Sequence, residues 1–372
     1  MTPPGDSLGN SALFVTPEEP RLGAGGGALR SASLLEYLRT RYDVRVATFE
    51  VPPHSKSFAA RAWRNSWRLL RGVPPLIDRF AGFEAQLAPF FDRHYRVAVI
   101  EHFWCAPYAA ALRPHCDVLV LDLHNVESAL AATHARATKG VEAAVHSRFA
   151  EANRKLEREW IPQFDLILTT SAEDRARIEH PNAIVFPNAI PVIDVPRATE
   201  ENCIVFSGNL EYHPNIEAVR WFGSRIWPRL RSNNRDLVWK LVGRNQEAIT
   251  GVLPADPRII LTGPIDDAVA EIAKSRVVVV PLLSGSGTRF KILEAWAARR
   301  AIVSTTIGAE GLLAREGEHL SIADEPAEFC AAVQTLLDHP GRARALGEAG
   351  HALYLDRYTW PAAWKTLKES GI

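Results

Sequence analysis

Short apolar runs alternate with longer amphipathic stretches along almost the whole chain of 372 residues. The runs are apolar at successive positions rather than at every second one, as at residues 97–100 and 277–283. Continuous apolar strands separated by helices are typical of a parallel sheet that carries helices on both faces. The pattern therefore predicts an α/β protein with doubly wound parallel sheets.

The alternation breaks once, at residues 187–197, where three prolines indicate a linker. Beyond this break, strand after strand ends in a small loop that contains glycine, for example at Gly208 and Gly243. Ligands of open α/β sheets bind outside the carboxyl ends of the strands. The second half is therefore expected to be a nucleotide-binding type of domain.

We predict two Rossmann-like domains facing a cleft. The first covers residues 1–190 and is completed by a C-terminal helix at 355–372, and the second covers residues 191–354. One large α/β domain is the alternative.

Charge and cysteine content narrow the possible functional classes of this protein further. Basic and acidic residues number 43 each, so the net charge of zero gives no reason to expect nonspecific nucleic-acid binding. The four cysteines lack metal-ligand spacing, which predicts reduced thiols in a cytoplasmic protein. The first ten residues lack the basic and apolar regions of a signal peptide, and we expect none.

Residues 281–297 are the most informative segment. An apolar strand opens into a Ser-Gly-Ser-Gly-Thr loop, and a helix is predicted to begin near Gly287. Small residues let backbone N–H groups approach an anion, and the start of a helix adds the positive end of its dipole. Arg289 and Lys291 add full positive charge, and Glu294 is placed to accept hydrogen bonds from ribose hydroxyls. The segment predicts a diphosphate site; a tight turn with surface charges is the alternative.

Further segments occur in the same order as in a known family. They are Gly25, Gly26 and Gly27 with Arg30, the Asp-Leu-His-Asn-Val-Glu-Ser run at 122–128, Pro-Asn-Ala-Ile at 187–190, Phe-Ser-Gly-Asn-Leu at 206–210, residues 303–312, and a C-terminal helix with Trp360 and Trp364. With residues 281–297, they make the chain resemble the family 4 glycosyltransferases over nearly its whole length. That family has the glycosyltransferase B fold of two Rossmann-like domains.

The resemblance implies a retaining glycosyltransferase that uses a nucleotide-diphosphate sugar. The acceptor would be a glycan or a lipid-linked molecule of cell-envelope or exopolysaccharide synthesis. The chain has no Asp-x-Asp pair, so we expect neither a metal nor any cofactor besides the donor substrate. The implied catalytic residues are His124 and Glu294. The implied donor-binding residues are Gly25, Gly26, Gly27, Gly208, Asn209, Gly243, Arg244, Ser286, Gly287, Thr288, Arg289, Lys291 and Glu294.

Two histidines follow strands of the first half. His124 matches a family histidine near the donor sugar, and we expect its neutral imidazole to hydrogen-bond a sugar hydroxyl. His102 is expected to line the acceptor side. A structural role is the alternative for both.

The chain departs from the family at three positions. Ser286 stands where many members have the first of two glutamates, a residue that contacts the transferred sugar. Asn209 and Pro214 stand where members often have Arg and Lys directed at the diphosphate. We therefore expect Arg289 and Lys291 to supply the missing charge.

A basic and aromatic segment lies between residues 55 and 96, which contain eight basic and three acidic residues. On a helix, Arg61, Arg64, Arg68 and Arg71 fall within one arc beside Trp63, Trp67 and Leu70. Arg beside Trp suits the boundary between anionic headgroups and acyl chains. We expect this acceptor-side segment to associate peripherally with an anionic membrane at its inner face. The alternatives are a domain-packing helix with a solvated Arg face and a site for a polyanionic glycan.

Two other functions fit the same fold. A sugar-nucleotide 2-epimerase would need acidic and basic groups around the sugar ring, and the sequence shows no comparable carboxylate cluster. A non-catalytic module that binds a nucleotide sugar or a glycan is the other, because the first glutamate of the pair is absent.

Overall fold

The computed structural model describes residues 10–20, 26–53, 55, 57–285 and 289–372. It divides into two compact units, each treated by itself below. Unit 1 comprises residues 1–188 and 364–372, and unit 2 comprises residues 189–363. The division falls two residues before the predicted boundary at 190.

Unit 1 is built on a six-stranded sheet whose strand pairings are all parallel. Its strands are β1 (Ser11–Thr16), β2 (Asp43–Thr48), β3 (Tyr95–Glu101), β4 (Cys116–Asp122), β5 (Leu166–Thr169) and β6 (Ala183–Val185). The order across the sheet is β2-β1-β3-β4-β5-β6. β1 therefore lies between β2 and β3, and the chain turns in opposite directions on its two sides. Such a switch point opens a crevice at the carboxyl ends of the strands.

Seven α-helices cover the described part of this sheet. They are α1 (Gly26–Arg39), α2 (Phe58–Arg71), α3 (Pro75–Phe80), α4 (Ala109–Leu112), α5 (Glu127–Ala137), α6 (Gly140–Trp160) and α7 (Ala172–Arg177). Their apolar faces bury the central strands; residues 97–100 of β3 are at most 1% exposed. Local signals fix the limits of α2. The Ser57 side chain accepts from the Ala60 amide at its start, and Gly72 takes the left-handed conformation at its end.

Unit 2 repeats the architecture with a second parallel sheet of six strands. Its strands are β7 (Cys203–Ser207), β8 (Val238–Val242), β9 (Ile259–Gly263), β10 (Val277–Val280), β11 (Ala301–Ser304) and β12 (Ser321–Ile322). The order is β12-β11-β10-β7-β8-β9, which places the switch point between β7 and β10. The prediction of two doubly wound parallel sheets is confirmed.

Eight helices belong to the described part of unit 2 or lead out of it. They are α8 (His213–Arg225), α9 (Trp227–Asn233), α10 (Ala268–Ile272), α11 (Phe290–Ala297), α12 (Thr306–Ala309), α13 (Pro326–Asp338), α14 (Pro340–Arg357) and α15 (Trp360–Glu369). The core holds three fully buried tryptophans, namely Trp227, Trp239 and Trp296. α11 begins at Phe290, three residues after the predicted start.

The C-terminal segment 364–372 belongs to unit 1. Trp364 donates from Nε1 to the Ser33 carbonyl oxygen at 3.1 Å, and the Tyr37 hydroxyl donates to the Ile372 carbonyl oxygen. Both partners lie on α1. The end of the chain thus completes the layer that α1 forms on the first sheet.

Candidate active site

Two glycines meet at the carboxyl ends of β7 and β8. Gly208 and Gly243 both have positive φ angles, 144° and 152°. A Cβ atom at Gly243 would lie 1.8 Å from the Gly208 carbonyl oxygen, and the Gly208 amide donates to the Val242 carbonyl oxygen at 2.9 Å. Only glycine permits this approach of two backbones. The two predicted donor-binding glycines therefore form one surface.

Three asparagines hold the loop after β7 in place. Asn215, buried at the start of α8, donates from Nδ2 to the Asn209 carbonyl oxygen at 2.7 Å. Asn245 donates to the Asn209 side-chain oxygen at 2.9 Å. The Leu210 amide donates to the carbonyl oxygen of Arg244, whose side chain is exposed. Sequence analysis missed Asn215 and Asn245, because their role depends on partners distant in the chain.

Lys291 is directed at this loop rather than at solvent. Its Nζ donates to Asn215 Oδ1 at 2.7 Å and lies 4.7 Å from the centre of the Phe206 ring. A Cβ atom at Gly208 would be 3.4 Å from the same Nζ. Burial, reinforced by the charge of Arg289, lowers the pKa of Lys291 to about 7. An anion bound here would restore the full positive charge.

Arg289 precedes α11 and is 5% exposed. It donates from Nη2 to the Gly285 carbonyl oxygen at 3.1 Å and to Glu310 Oε2 at 3.4 Å. Burial lowers its pKa. Because Arg289 is buried and Lys291 is only partly exposed, the two are not the fully solvated surface charges of the alternative. Ser286, Gly287 and Thr288 lie outside the described residues.

Glu294 lies one turn after Lys291 on α11. Burial raises the pKa of its carboxyl to about 7, which Lys291 and the Ser207 hydroxyl partly oppose. Unit 2 thus brings six predicted donor residues to one switch point. They are Gly208, Asn209, Gly243, Arg289, Lys291 and Glu294.

A second polar cluster lies at the carboxyl end of the sheet of unit 1. Arg30, on α1, donates from Nε to both carboxylate oxygens of Asp122 at 3.0 and 2.9 Å. Its Nη1 donates to the Phe186 carbonyl oxygen and to Asn188 Oδ1. Burial by itself would raise the pKa of Asp122, but Arg30 and His124 hold it well below its usual value. The pair ties α1 to the ends of β4 and β6.

His124 lies against two buried carboxylates. Its Nε2 is 3.4 Å from Asp122 Oδ2 and 3.5 Å from Glu101 Oε1. Burial by itself would lower the pKa of His124, but the two carboxylates raise it above the usual value. The direction of this shift is opposite to the one that would favour the neutral imidazole expected from the sequence. On the other side of the ring, a Cβ atom at Gly27 would lie 3.5 Å from Nδ1.

Glu101 is the member of this cluster that sequence analysis missed. It is 0% exposed, and its carboxylate oxygens have no hydrogen-bond partner among the described residues. Glu101 pairs with Asp122 in the register of β3 and β4. The signal available in the sequence was a carboxylate at the end of a buried strand, directly before His102.

His102 has a positive φ of 66° and stacks on Trp104, with ring centroids 4.2 Å apart. Its ring also lies 3.7 Å from that of His124. Burial, together with the nearby His124, lowers the pKa of His102 well below its usual value. Unit 1 thus brings Gly27, His102 and His124 together at the start of α1. Gly26 begins that helix, and Gly25 lies outside the described residues.

The cluster contains the only candidate metal ligands found together among the described residues. Glu101, Asp122 and His124 offer atoms within 4.8 Å of one another. Arg30, however, already contacts both oxygens of Asp122, and a guanidinium beside a metal cation is repulsive. We interpret the cluster as an ion-pair network. The expectation of no metal stays a prediction.

α2 exposes an apolar face. Phe58, Trp63, Trp67 and Leu70 are 77%, 71%, 51% and 73% exposed, and the two indoles stack with centroids 6.3 Å apart. Arg68 is not available on the predicted basic arc, because it is buried and donates to Asp78 Oδ2 at 2.7 Å.

Of the other cations predicted on that arc, Arg64 donates to the Ser55 carbonyl oxygen and Arg71 is exposed. The side chain of Arg61 lies outside the described residues. Arg64, Trp63 and Trp67 are on the same unit as His102 but are absent from the pocket beside it. No helix in the described part of the chain is long and apolar enough to cross a bilayer.

Comparison with solved structures identifies the fold. Sucrose-phosphate synthase from Thermosynechococcus elongatus superposes with a TM-score of 0.67 at 14% identity, covering 97% of this chain and 98% of that one. A trehalose-phosphate synthase from Burkholderia vietnamiensis superposes with a TM-score of 0.65 at 12% identity, covering 97% of this chain and 96% of that one. Anabaena HepE in complex with UDP and glucose gives 0.61 at 13% identity, covering 97% and 99%. The chain has the glycosyltransferase B fold.

Sequence comparison finds a family match within unit 2. Residues 201–339 match the family described as "Glycosyl transferases group 1". An "Uncharacterized 44.6 kDa protein in cps region" of Klebsiella pneumoniae is 27% identical over 178 residues. That match covers 45% of each chain, which is less than half of the relative's length.

Proposed function

We propose that this protein is a retaining glycosyltransferase that moves a sugar from a nucleotide-diphosphate sugar to a glycan or lipid-linked acceptor. The observation that carries the proposal is the position of Lys291. Its largely buried ammonium group lies at the switch point of unit 2, beside the glycine loop that follows β7. The group 1 domain supports the activity, and the relative named for a cps region supports polysaccharide synthesis as its setting.

The proposed chemistry follows from charge. When the bond between the sugar and the diphosphate breaks, negative charge develops on the departing diphosphate. Lys291 and Arg289 would stabilise that charge, because preorganised donors in a site of low dielectric need no reorganisation. Glu294 would accept hydrogen bonds from ribose hydroxyls. His124, whose pKa is raised by two carboxylates, would donate to the transferred sugar.

The donor is best sought first among uridine nucleotides. The Anabaena HepE structures are complexes with UDP and with UDP-glucose, which supports a nucleotide-sugar donor for a chain of the same fold. A panel of nucleotide sugars is incubated without acceptor, and release of the nucleoside diphosphate is measured. Acceptors are then added, and the products are identified by mass spectrometry.

Lysine variants test the role of the site. We expect K291M to lose most donor turnover, whereas K365M, at an exposed lysine on α15, keeps it. Release of the 2-epimer of the nucleotide sugar would instead identify an epimerase. Donor binding without turnover or transfer would identify a binding module. Equal turnover by K291M and K365M would exclude the proposed donor site.

We place the acceptor reaction at the inner face of an anionic membrane. The support is the exposed apolar face of α2 together with the exposed Arg71, an arrangement suited to the boundary between headgroups and acyl chains. A lipid-linked acceptor would be met there. A vesicle experiment that tests this placement is given in the Discussion.

A further inference from the structure

Unit 2 contains a small cavity at the amino ends of β10 and β11, opposite the loops of the candidate donor site. Arg276, which directly precedes β10, and Ala301, which begins β11, line it together with Pro340 and Arg344 at the start of α14. Its volume of about 190 Å³ is below the roughly 300–1,000 Å³ of pockets that hold drug-sized molecules. The cavity therefore suits a small ion or a single charged group rather than a nucleotide.

The charge of this cavity is positive. Its lining contains four guanidinium groups and two carboxylates; they belong to Arg276, Arg299, Arg300, Arg344, Glu200 and Glu348. Glu200 Oε2 accepts from Arg300 Nη1 at 3.0 Å, and its Oε1 lies 3.8 Å from Arg276 Nε. Glu348 Oε2 lies 3.2 Å from Arg299 Nη1. The carboxylates thus leave two positive charges uncompensated, and an excess of this kind attracts an anion.

Two of the arginines keep donors for such an anion. Arg300 Nε is buried and has no hydrogen-bond partner among the described residues. The exposed side chain of Arg344 has neither an ion-pair nor a hydrogen-bond partner in the same part of the chain. α14, which begins at the cavity, has no acidic residue in its first turn to meet the positive end of its dipole. An anion in the cavity would supply the missing acceptor and the missing negative charge.

The backbone at Arg299 gives independent support. Arg299 has a φ of 55° directly after the end of α11, and its amide donates to the Trp296 carbonyl oxygen at 3.0 Å. Glycine usually takes this left-handed position at a helix end, because a side chain is disfavoured there. Gly347 of α14 packs against the same turn, since a Cβ atom on it would lie 2.3 Å from the Arg299 carbonyl oxygen. An arginine held at a strained position beside a cavity is expected of a side chain that binds a ligand.

We propose that this cavity binds a phosphate dianion, either inorganic phosphate or the phosphate group of a small phosphorylated sugar. Arg299, Arg300 and Arg344 would hold it, because the planar fork of a guanidinium group matches the oxygens of a phosphate. None of the predicted donor residues lines the cavity, so the site goes beyond the proposed transferase function and does not depend on it.

Titration calorimetry with inorganic phosphate tests the proposal on the full chain, in chloride buffer at mildly alkaline pH and without donor or acceptor. The donor site also attracts phosphate groups, so the titrations are made on K291M. We expect K291M to bind one phosphate per chain, and R299G or R344Q, each added to K291M, to weaken this binding about tenfold. R342Q is the matched control, because Arg342 is exposed on the same helix and does not line the cavity.

The variants are expected to fold. Glycine is favoured at the φ of residue 299, and Arg344 has no partner to lose; urea denaturation checks both. Glucose 6-phosphate distinguishes the two sources of the phosphate group. Affinity equal to that of inorganic phosphate supports a site for the free ion, and tighter binding supports a phosphorylated sugar. Absence of phosphate binding in K291M, or equal affinity in K291M and its R299G and R344Q derivatives, would overturn the proposal.

Discussion

Gly243 approaches Gly208 so closely that a Cβ atom on Gly243 would lie 1.8 Å from the Gly208 carbonyl oxygen. The contact joins the ends of β7 and β8, and through Asn215 it is linked to Lys291. The backbone on which the donor site is built thus depends on a residue without a side chain.

Replacing Gly243 by alanine is expected to displace the loop after β7. The φ of 152° by itself strains a residue with a side chain by about 1–3 kcal/mol, and the backbone contact adds to this. We expect a lower free energy of unfolding in urea and a large loss of affinity for nucleoside diphosphates. G251A is the control, because a Cβ at Gly251 meets nothing within 4 Å. Unchanged affinity in G243A would contradict this role of the contact.

Diphosphate binding should also be coupled to protonation of Lys291. Its pKa is lowered to about 7, so at pH 8 it is mostly neutral in the free protein. A bound diphosphate favours the ammonium form, and binding at pH 8 should take up about one proton. Calorimetry in buffers of different ionisation enthalpy measures this uptake.

Variants identify the group that takes up this proton. Uptake should disappear in K291M and persist in K365M. The pKa of Glu294 is also raised to about 7, so E294Q tests its contribution. Persistence of the uptake in K291M, or its loss in E294Q, would assign the proton to another group.

The glycine-containing loops of the candidate donor site could be predicted from the sequence, because a continuous apolar run followed by glycine is a local signal. Gly208, Gly243 and the segment before α11 could be found in that way. The contact of Glu101 with Asp122 could not be predicted from the sequence, because the two residues meet only through the pairing of β3 with β4. Likewise, the positions of the arginines around an isolated helix α2 could not show which of them would be buried by contact with another helix.

The ion pair of Arg30 with Asp122 is expected to matter for stability. R30M leaves a buried carboxylate without its guanidinium, which costs about 3–5 kcal/mol. Urea denaturation at neutral pH measures the loss. D122N added to R30M should recover part of it. R154M breaks only the exposed pair with Glu151 and should cost less than about 1 kcal/mol.

The sign of the pH dependence follows from the depressed pKa of Asp122. The stabilisation of the fold by the ionised Asp122 is fully present above the pKa of an unfolded aspartate, about 3.9, and is lost as the pH falls below that value. The difference between the natural chain and R30M should therefore shrink in acid. A difference that does not vary with pH would show that the charge of Asp122 is not involved.

Glu101 should act as a positioning residue through His124. Five charged or titratable groups surround the imidazole; they are Glu101 on β3, His102 after it, Asp122 on β4, Arg30 on α1 and Glu127 on α5. Removing one carboxylate in E101Q should lower the pKa of His124, measured by NMR titration of its C–H protons.

If His124 acts as the imidazolium, the alkaline limb of donor turnover in E101Q should move to lower pH. E36Q, at an exposed position of α1, should leave both the titration and the pH profile unchanged. An unchanged His124 titration in E101Q would show that Glu101 does not hold its charge.

The apolar face of α2 should bind anionic bilayers. Trp63 and Trp67 lie one turn apart, stacked and exposed, and Leu70 continues the same face. W63S/W67S removes two large side chains that would enter the headgroup boundary, and we expect binding to fall about tenfold or more. Sedimentation with phosphatidylcholine vesicles, with and without phosphatidylglycerol, measures this binding.

R71Q should reduce the preference for the anionic vesicles, because the charge of Arg71 is exposed beside that face. Y212S, at a half-exposed aromatic of unit 2, is the control and should bind as the natural chain does. Equal sedimentation of the natural chain with both kinds of vesicle would contradict the preference for anionic bilayers. No sedimentation with either kind would exclude α2 as a membrane-binding surface, and its exposed tryptophans would then need another partner.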